Sequence, residues 1–244
     1  ELEIVRKNVS EDDEPKCYAE AFIQEMKRRE HHGRFLGTFT HQQLVSACGD
    51  LWIAGFDTTV ATLRFAFYYM VNCPDVQRRA QKEIDEKIGK RSIQMDDQKA
   101  LHYCNAVIQE VLRLSTMFSN FTRLISAPVN IDGYSIPVGT GVIPEFSLVH
   151  NDPNKFERHG FFCPDRHLNE QGEFVKDPRI TPFSMGKRAC IGEGLARMEL
   201  FLFFTSFIQN LTFSSVTKVP PELKLQNSFS RAPEPYQVLV KNRE

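Results

Sequence analysis

The sequence has no apolar run long enough to cross a membrane. Its longest apolar stretch, Leu200 to Ile208, already contains Thr205 and Ser206, whereas a membrane-spanning helix needs about 20 predominantly apolar residues. The chain begins on Glu1 without an initiator Met, and its first residues match neither a signal peptide nor a transit peptide. We therefore predict no transmembrane helix, and the start is compatible with a fragment of a longer protein.

An excess of charge of one sign is also absent. The chain has 30 Lys and Arg residues against 31 Asp and Glu residues, which gives a formal net charge of −1. Proteins that bind nucleic acid usually carry a basic patch and a clearly positive charge. The balance of charges therefore predicts that nucleic acid is not a partner.

The six cysteines include no C-x-x-C pair and are spread widely along the chain. Such spacing argues against a zinc site and against a small disulfide-bonded scaffold, because both need cysteines at short, regular intervals. We predict reduced thiols that face the cytosol.

The residues that are present predict a mainly α fold with a small β region. Helical spacing of apolar residues covers residues 11–29, 41–70, 75–87, 101–115 and 193–210, and we expect the second of these helices to be largely buried. Asp132-Gly133 between two β-branched segments predicts a hairpin, and short strands are expected at residues 211–216 and 236–240. Residues 151–189 are rich in Pro, Gly and Phe and predict a long irregular loop.

The strongest motif lies where that loop meets the last helix. Residues 183–192 read Phe-Ser-Met-Gly-Lys-Arg-Ala-Cys-Ile-Gly. A lone cysteine beside a helix start is most often a buried structural residue. This segment, however, resembles the cytochrome P450 haem-binding signature, F-x-x-G-x-R-x-C-x-G, at every fixed position. The resemblance implies that Cys190 is the thiolate ligand of haem iron.

The other fixed positions of the motif have physical reasons. The resemblance implies that Phe183 belongs to the haem-binding loop and that Arg188 pairs with a haem propionate. Gly186 and Gly192 would let the backbone approach the flat cofactor, and the nearby helix N-terminus would favour a negatively charged sulfur. Arg123, at the start of the first predicted strand, is a further candidate for a propionate contact, with a solvated surface arginine as the alternative.

A second motif lies in the middle of the long helix, where residues 54–59 read Ala-Gly-Phe-Asp-Thr-Thr. On its own this segment favours packing of small residues in a buried helix. It is similar to the oxygen-activating segment of the same family, which implies that Thr58 hydrogen-bonds the activated oxygen and that Asp57 relays protons. Gly55 would leave room for dioxygen, and Thr59 is the weaker candidate for the hydroxyl.

A third pattern pairs Glu110 and Arg113, one helical turn apart, with Arg166 in the downstream Pro164-Asp165-Arg166. An E-x-x-R pair alone carries little information. The family has the same pair and a downstream P-x-R motif in the same order, which implies a buried ion-paired triad. Buried charges persist only when they are paired, so we assign these three residues a structural role.

The motifs extend from residue 54 to residue 192 in the family's order, and the resemblance covers essentially the whole chain. It implies a cytochrome P450 fold of the microsomal eukaryotic type that is incomplete at the N-terminus, with residues 1–244 as the C-terminal part of a single domain. The missing half would carry the membrane anchor and a large piece of the substrate pocket.

The implied activity is haem-dependent monooxygenation, in which one oxygen atom of O2 enters an apolar organic substrate of the xenobiotic, steroid or fatty-acid type. The sequence has no Gly-rich dinucleotide fingerprint, so electrons would come from NADPH–cytochrome P450 reductase, with cytochrome b5 as a second candidate partner. The family's common eukaryotic form lies on the cytosolic face of the endoplasmic reticulum. Substrate contacts are expected at Leu51, at Phe56, near Ser119 to Phe121 and near Phe229.

Two alternatives remain open at this point. A haem-thiolate isomerase or a haem-based sensor would also need Cys190, although Asp57 and Thr58 favour a monooxygenase. A truncated product that binds no haem and has no independent activity is the other alternative, because half of the family's usual length is missing.

Overall fold

The computed structural model describes residue 5 and residues 9–10, 13–117, 121–226 and 230–243. The chain divides into two units, Glu1–Asp57 and Thr58–Glu244, and the boundary falls inside the long second helix. The helices are α1 (Tyr18–His31), α2 (His41–Asn72), α3 (Pro74–Lys87), α4 (His102–Ser115), α5 (Phe146–His150) and α6 (Glu193–Asn210). Short 3-10 helices lie at Met95–Lys99, Pro164–His167 and Gly186–Arg188.

Three antiparallel two-stranded sheets complete the described fold. The strands are β1 (Arg123–Leu124), β2 (Val129–Ile131), β3 (Tyr134–Ile136), β4 (Gly141–Val142), β5 (Leu211–Ser215) and β6 (Val238–Asn242). β1 pairs with β4, β2 with β3, and β5 with β6. The predicted hairpin is confirmed, and its turn residues Asp132 and Gly133 have φ of 49° and 85°, as a tight hairpin turn requires. The fold is therefore mainly α with a small β region, as predicted.

In the first unit, α1 packs Phe22, Ile23 and Met26 against Leu44 from the start of α2. The prediction that this helix covers residues 11–29 was wrong at its N-terminus, because Cys17 is extended, with φ of −154° and ψ of 169°, and the helix begins only after it. The spacing of the apolar residues identified the buried face correctly. It did not locate the start, because Pro15 and the residues around it favour extended backbone.

The predicted bounds of α2 are close to those observed, but the expectation that it is largely buried was wrong for its first half. Trp52 is 76% exposed and Phe56 is 63% exposed. Periodicity shows which residues share a helix face, but it does not show which segment covers that face. From Thr59 onward, α2 belongs to the second unit, and its side chains that face the core of that unit are buried.

The core of the second unit is built from one face each of α2, α3, α4 and α6, closed by β5. Its most buried apolar side chains include Phe65, Met70, Ile84, Val107, Val111, Phe201, Phe204, Ile208 and Phe213. The strand is held to α3 by buried Gln77, whose side chain donates to Phe213 O (2.8 Å) and accepts from Phe213 N (2.7 Å). This core carries the helices from which the site residues project.

The N-terminus of α4 is capped by a side chain from α3. Glu83 accepts hydrogen bonds from Tyr103 N (2.7 Å) and Cys104 N (2.9 Å). These N–H groups have no partner within their own helix, and the positive end of the helix favours a carboxylate there. The contact therefore fixes the helix that bears Glu110 and Arg113.

Replacing Glu83 with glutamine should lower the free energy of unfolding by about 1 kcal/mol, because the amide can accept only one of the two bonds and loses the negative charge. Urea denaturation of the two proteins measures the difference. Glu86→Gln, on an exposed part of the same helix, is the matched control and should change little. Equal midpoints for the two variants would contradict the capping role.

Candidate functional site

The loop that precedes α6 presents Cys190 at the protein surface. The loop forms a 3-10 turn at Gly186–Arg188, and the Cys190 N–H donates to Phe183 O at 2.8 Å. Gly186 has a φ of 74°, which a side chain would strain. The Cys190 side chain is exposed and its thiol is not part of a disulfide. The backbone of the cysteine is thus fixed while its sulfur stays accessible.

The surroundings of Cys190 combine one sulfur donor with exposed apolar side chains. Gly192 is the residue before α6, and a Cβ placed on it would lie 3.9 Å from Cys190 Sγ. Met185 and Ile191, on either side along the chain, are 65% and 90% exposed. One soft sulfur donor beside exposed apolar side chains is the donor set that haem iron accepts from a protein. Among the described residues no group of three His, Cys, Asp or Glu side chains could hold a metal ion.

Two other predicted loop residues differ in their packing. Phe183 is half-buried, and the guanidinium of Arg197 lies 4.9 Å from its ring centroid. Glu193 holds Arg197 by an ion pair of 2.8 Å. Arg188 is exposed at the end of the 3-10 turn. Its pairing with a haem propionate stays a prediction.

The two threonines of the α2 segment have different environments. The Thr59 hydroxyl is buried and donates to Glu199 Oε2 of α6 at 3.0 Å. Thr58 is half-buried, and its carbonyl accepts from the Thr62 hydroxyl at 2.9 Å. Thr59 therefore joins α2 to α6, and the assignment of chemistry to Thr58 stays a prediction. Sequence reasoning missed Glu199, although an acid among the apolar residues of α6 was a signal.

Asp57 and Gly55 are both exposed on α2. A Cβ placed on Gly55 meets nothing within 4 Å among the residues that the structure describes. The roles of Asp57 in proton relay and of Gly55 in leaving space both stay predictions.

Glu110, Arg113 and Arg166 lie together in one ion-paired cluster. Glu110 and Arg113 are completely buried, and their side chains meet in two hydrogen bonds of 2.8 and 2.9 Å. Arg166 reaches the same carboxylate, with Nε 3.1 Å from Glu110 Oε1. Two Arg side chains on one buried carboxylate leave its charge fully paired. The structural role assigned to the three residues stays a prediction.

Sequence reasoning missed a fourth member of this network. His167, which follows Arg166, places Nε2 2.8 Å from Glu110 Oε2, and Cys163 N donates to Glu110 Oε1 at 3.0 Å. Burial by itself would raise the pKa of Glu110, but the hydrogen bonds from Arg113 and His167 outweigh it and lower the pKa to about 2. The carboxylate is therefore ionised at neutral pH. A histidine beside the P-x-R motif was the available signal.

A second buried histidine, His150, was also missed. Its carbonyl accepts from Arg113 Nη1 at 2.6 Å, and its ring bridges Thr116 and the Thr181 backbone. Burial and the nearby positive charge of Arg113 lower the pKa of His150 to about 4, although Asp177 opposes this shift. The ring is therefore neutral at physiological pH.

The other residues predicted to contact the haem or the substrate lie on β1, on α2 and in or beside segments outside the described residues. Arg123 begins β1 as predicted, and its guanidinium lies 5.7 Å from the ring of Phe121. Leu51 is 42% exposed and Phe56, like Phe121, also presents part of its ring to the surface. Ser119 and Phe229 lie outside the described residues. No helix in the described part of the chain is long and apolar enough to cross a membrane.

The chain is similar to known proteins over most of its length. The family model for cytochrome P450 matches residues 1–240. The chain is 42% identical over 238 residues to the probable cytochrome P450 CYP36A1 of Caenorhabditis elegans, a match that covers 96% of this chain and 48% of that protein. It is 41% identical over 233 residues to cytochrome P450 2D10 of Rattus norvegicus, covering 94% of this chain and 46% of the relative.

A third relative, cytochrome P450 2J5 of Mus musculus, is 36% identical over 228 residues, which is 93% of this chain and 45% of the relative. The chain thus spans about half the length of the curated relatives it matches. Members of the matched family bind haem through a cysteine thiolate, which agrees with the sulfur donor and its apolar surroundings. This chain belongs to the cytochrome P450 family.

Proposed function

We propose that this chain is the haem-binding and oxygen-activating part of a cytochrome P450 monooxygenase, within a single domain that a further segment completes. Cys190 would hold the haem iron through its sulfur. The observation that carries the proposal is the accessible sulfur of Cys190 at the start of α6, held by the bond from its N–H to Phe183 O at 2.8 Å. When bound, the haem supplies an iron centre at which O2 is activated, and the thiolate favours cleavage of the O–O bond.

The loop residues would hold the cofactor. The N-terminus of the 18-residue helix α6, which begins three residues after Cys190, carries a partial positive charge. Gly186 and Gly192 would keep side chains away from the cofactor face. Arg188 and Arg123 would each donate to a propionate.

Asp57 and Thr58 would move protons at the reaction centre, with the Thr58 hydroxyl as donor and the Asp57 carboxylate as the group that resupplies it. Thr59 would serve packing instead, because its hydroxyl donates to Glu199 Oε2 at 3.0 Å and so joins α2 to α6.

Substituting the two threonines separately should therefore affect different quantities, activity for Thr58 and stability for Thr59. Thr58→Ala should slow product formation roughly hundredfold, the contribution of a positioned proton donor, with little change in stability. Thr59→Ala should lower the free energy of unfolding by about 1 kcal/mol, because the Glu199 carboxylate loses its donor, while the reaction continues. The rate of product formation and urea denaturation measure the two effects. Similar losses of product in both variants would refute the assignment.

The substrate is proposed to be an apolar organic molecule of the xenobiotic, steroid or fatty-acid type. Exposed apolar side chains on α2, Leu51 and Phe56 among them, support an apolar substrate. NADPH–cytochrome P450 reductase would supply electrons, with cytochrome b5 as an additional donor. We propose the cytosolic face of the endoplasmic reticulum membrane as the location, with attachment through a segment outside this chain.

A haem-free product without activity of its own is the second candidate, favoured by a single observation. The chain covers only 48% of the length of the C. elegans relative, and a partial fold can lack contacts that haem binding needs. A haem-thiolate isomerase or sensor would keep the cysteine but would not need Asp57 and Thr58.

The carbon monoxide difference spectrum of the reduced, haem-reconstituted protein tests the proposal. A strongly red-shifted Soret band, the signature of thiolate ligation, is expected for the intact natural protein. The same band from residues 1–244 alone would exclude the haem-free candidate. Absence of the band from the intact protein would refute the haem-thiolate proposal.

A further inference from the structure

The turn at the end of α4 is strained and held by side chains. Thr116 has a φ of 28° and a ψ of 66°, a left-handed conformation that is costly for a β-branched residue. Its hydroxyl donates to Arg113 O at 2.8 Å, and its oxygen lies 3.0 Å from His150 Nδ1. Thr116 and His150 are 2% and 0% exposed. A buried strained residue persists only where its surroundings fix it, and His150 is the side chain that does so.

The hydrogen bonds of His150 define its tautomer. Thr181 N–H donates to Nε2 at 3.0 Å, so Nε2 must be the acceptor and the proton of the neutral ring is on Nδ1. Nδ1–H then donates to the Thr116 oxygen, whose own proton is given to Arg113 O. Every donor and acceptor of the ring is satisfied in this tautomer and in no other.

The bond to Thr181 reaches the base of the cysteine loop. The Thr181 carbonyl accepts from Ser184 N at 3.1 Å, and Phe183, between them, accepts from Cys190 N at 2.8 Å. The backbone of Thr181 is therefore held from both sides, by the histidine ring and by the turn that carries Phe183. Hydrogen bonds, joined by the backbone of Thr181 and by the peptide group between Phe183 and Ser184, therefore connect His150 with the backbone of Cys190.

We propose that His150 is a positioning residue for the cysteine loop. Its ring links the buried Glu110–Arg113 pair to the backbone of Thr181, and so limits the movement of the loop that carries Cys190. The inference rests on the proposed role of Cys190 as haem ligand. It assigns His150 no contact with the cofactor or substrate. Removing the acceptor at Nε2 leaves the half-buried Thr181 N–H without its histidine partner, which favours conformations in which the loop has shifted.

Two conservative variants distinguish the hydrogen bond at Nε2 of His150 from the one at Nδ1. In His150→Gln the longer side chain brings an amide oxygen to the position of Nε2, so the bond from Thr181 can form. In His150→Asn the shorter amide reaches only the position of Nδ1. Gln77→Leu is the matched control, because it also removes a buried side chain that bonds to backbone, at Phe213 rather than at the loop.

Two measurements on the intact natural protein follow. Hydrogen exchange of the Thr181 amide should be about tenfold faster in His150→Asn than in His150→Gln or Gln77→Leu. In the haem-loaded protein with carbon monoxide, the share of the band from non-thiolate ligation should rise about tenfold in His150→Asn alone.

Equal exchange at Thr181 in the Gln and Asn variants, or an equal effect of Gln77→Leu, would overturn the inference. A wild-type protein that lacks the thiolate band would refute the proposed function instead, and the exchange measurement, which needs no haem, would still decide whether His150 holds the loop.

Discussion

Replacing Cys190 with serine is expected to abolish the thiolate-type Soret band of the haem-loaded protein completely. A serine hydroxyl stays protonated at neutral pH and cannot donate electron density as a thiolate does. The exposed position of Cys190 means that the substitution removes no core packing. We therefore expect loss of the band and of all monooxygenase activity without a matching loss of folding stability. The reduced carbon monoxide spectrum and urea denaturation measure the two quantities.

Cys163→Ser is the control for this experiment. Cys163 is half-buried, lies in the preceding loop and contacts Glu110 through its backbone N–H at 3.0 Å. That bond does not depend on the side chain, so the variant should keep the thiolate band. Loss of the band in Cys163→Ser, or its persistence in Cys190→Ser, would show that the assigned ligand is wrong.

Replacing Glu110 with alanine is expected to lower the free energy of unfolding by about 3–5 kcal/mol, the range for removing one member of a buried ion pair. The loss is large because Arg113, which is completely buried, would keep its charge without a partner. Thermal or urea denaturation measures it. Asp75→Ala is the matched control, since Asp75 and Arg78 have the same i,i+3 spacing but lie at the surface, where ion pairs contribute little. Comparable losses in the two variants would contradict a buried triad.

The pH dependence gives this prediction a second readout. The pKa of Glu110 is about 2 in the folded protein against 4.5 for the free side chain. A carboxyl group whose pKa is lowered by folding contributes stability that is present above pH 4.5 and is lost as the pH falls toward 2. The difference corresponds to roughly 3 kcal/mol. Glu110→Gln should lack this loss between pH 4.5 and 2, whereas the wild type should show it.

Arg113 and Arg166 also bond to the backbone of the long irregular loop. Arg113 donates to the carbonyls of His150 and Phe161 at 2.6 and 3.3 Å, and Arg166 donates to Glu157 O at 2.7 Å. These bonds satisfy loop backbone groups that regular secondary structure would otherwise pair. The charged residues thus replace a sheet as the scaffold for residues 151–189.

Local patterns were sufficient for most of the helices. The apolar spacing of residues 193–210 and 101–115 predicted α6 and α4 to within one residue, because both helices bury one face in the same core. The hairpin at Asp132-Gly133 was equally predictable, because its turn needs two residues that tolerate positive φ. In contrast, α5 was missed, since a five-residue helix has no measurable period.

Some features of the candidate site were also predictable from the sequence, and others were not. The order and spacing of the motifs in the sequence determined the family, the cysteine loop and the Glu110–Arg113–Arg166 triad, because each motif is a short run of residue types with a chemical reason. Only the tertiary structure decided that Thr59 bonds to Glu199, 140 positions along the chain, and that His150 bonds to Thr181, 31 positions away. Such bonds depend on how helices and loops pack, and no local pattern of residues encodes that packing.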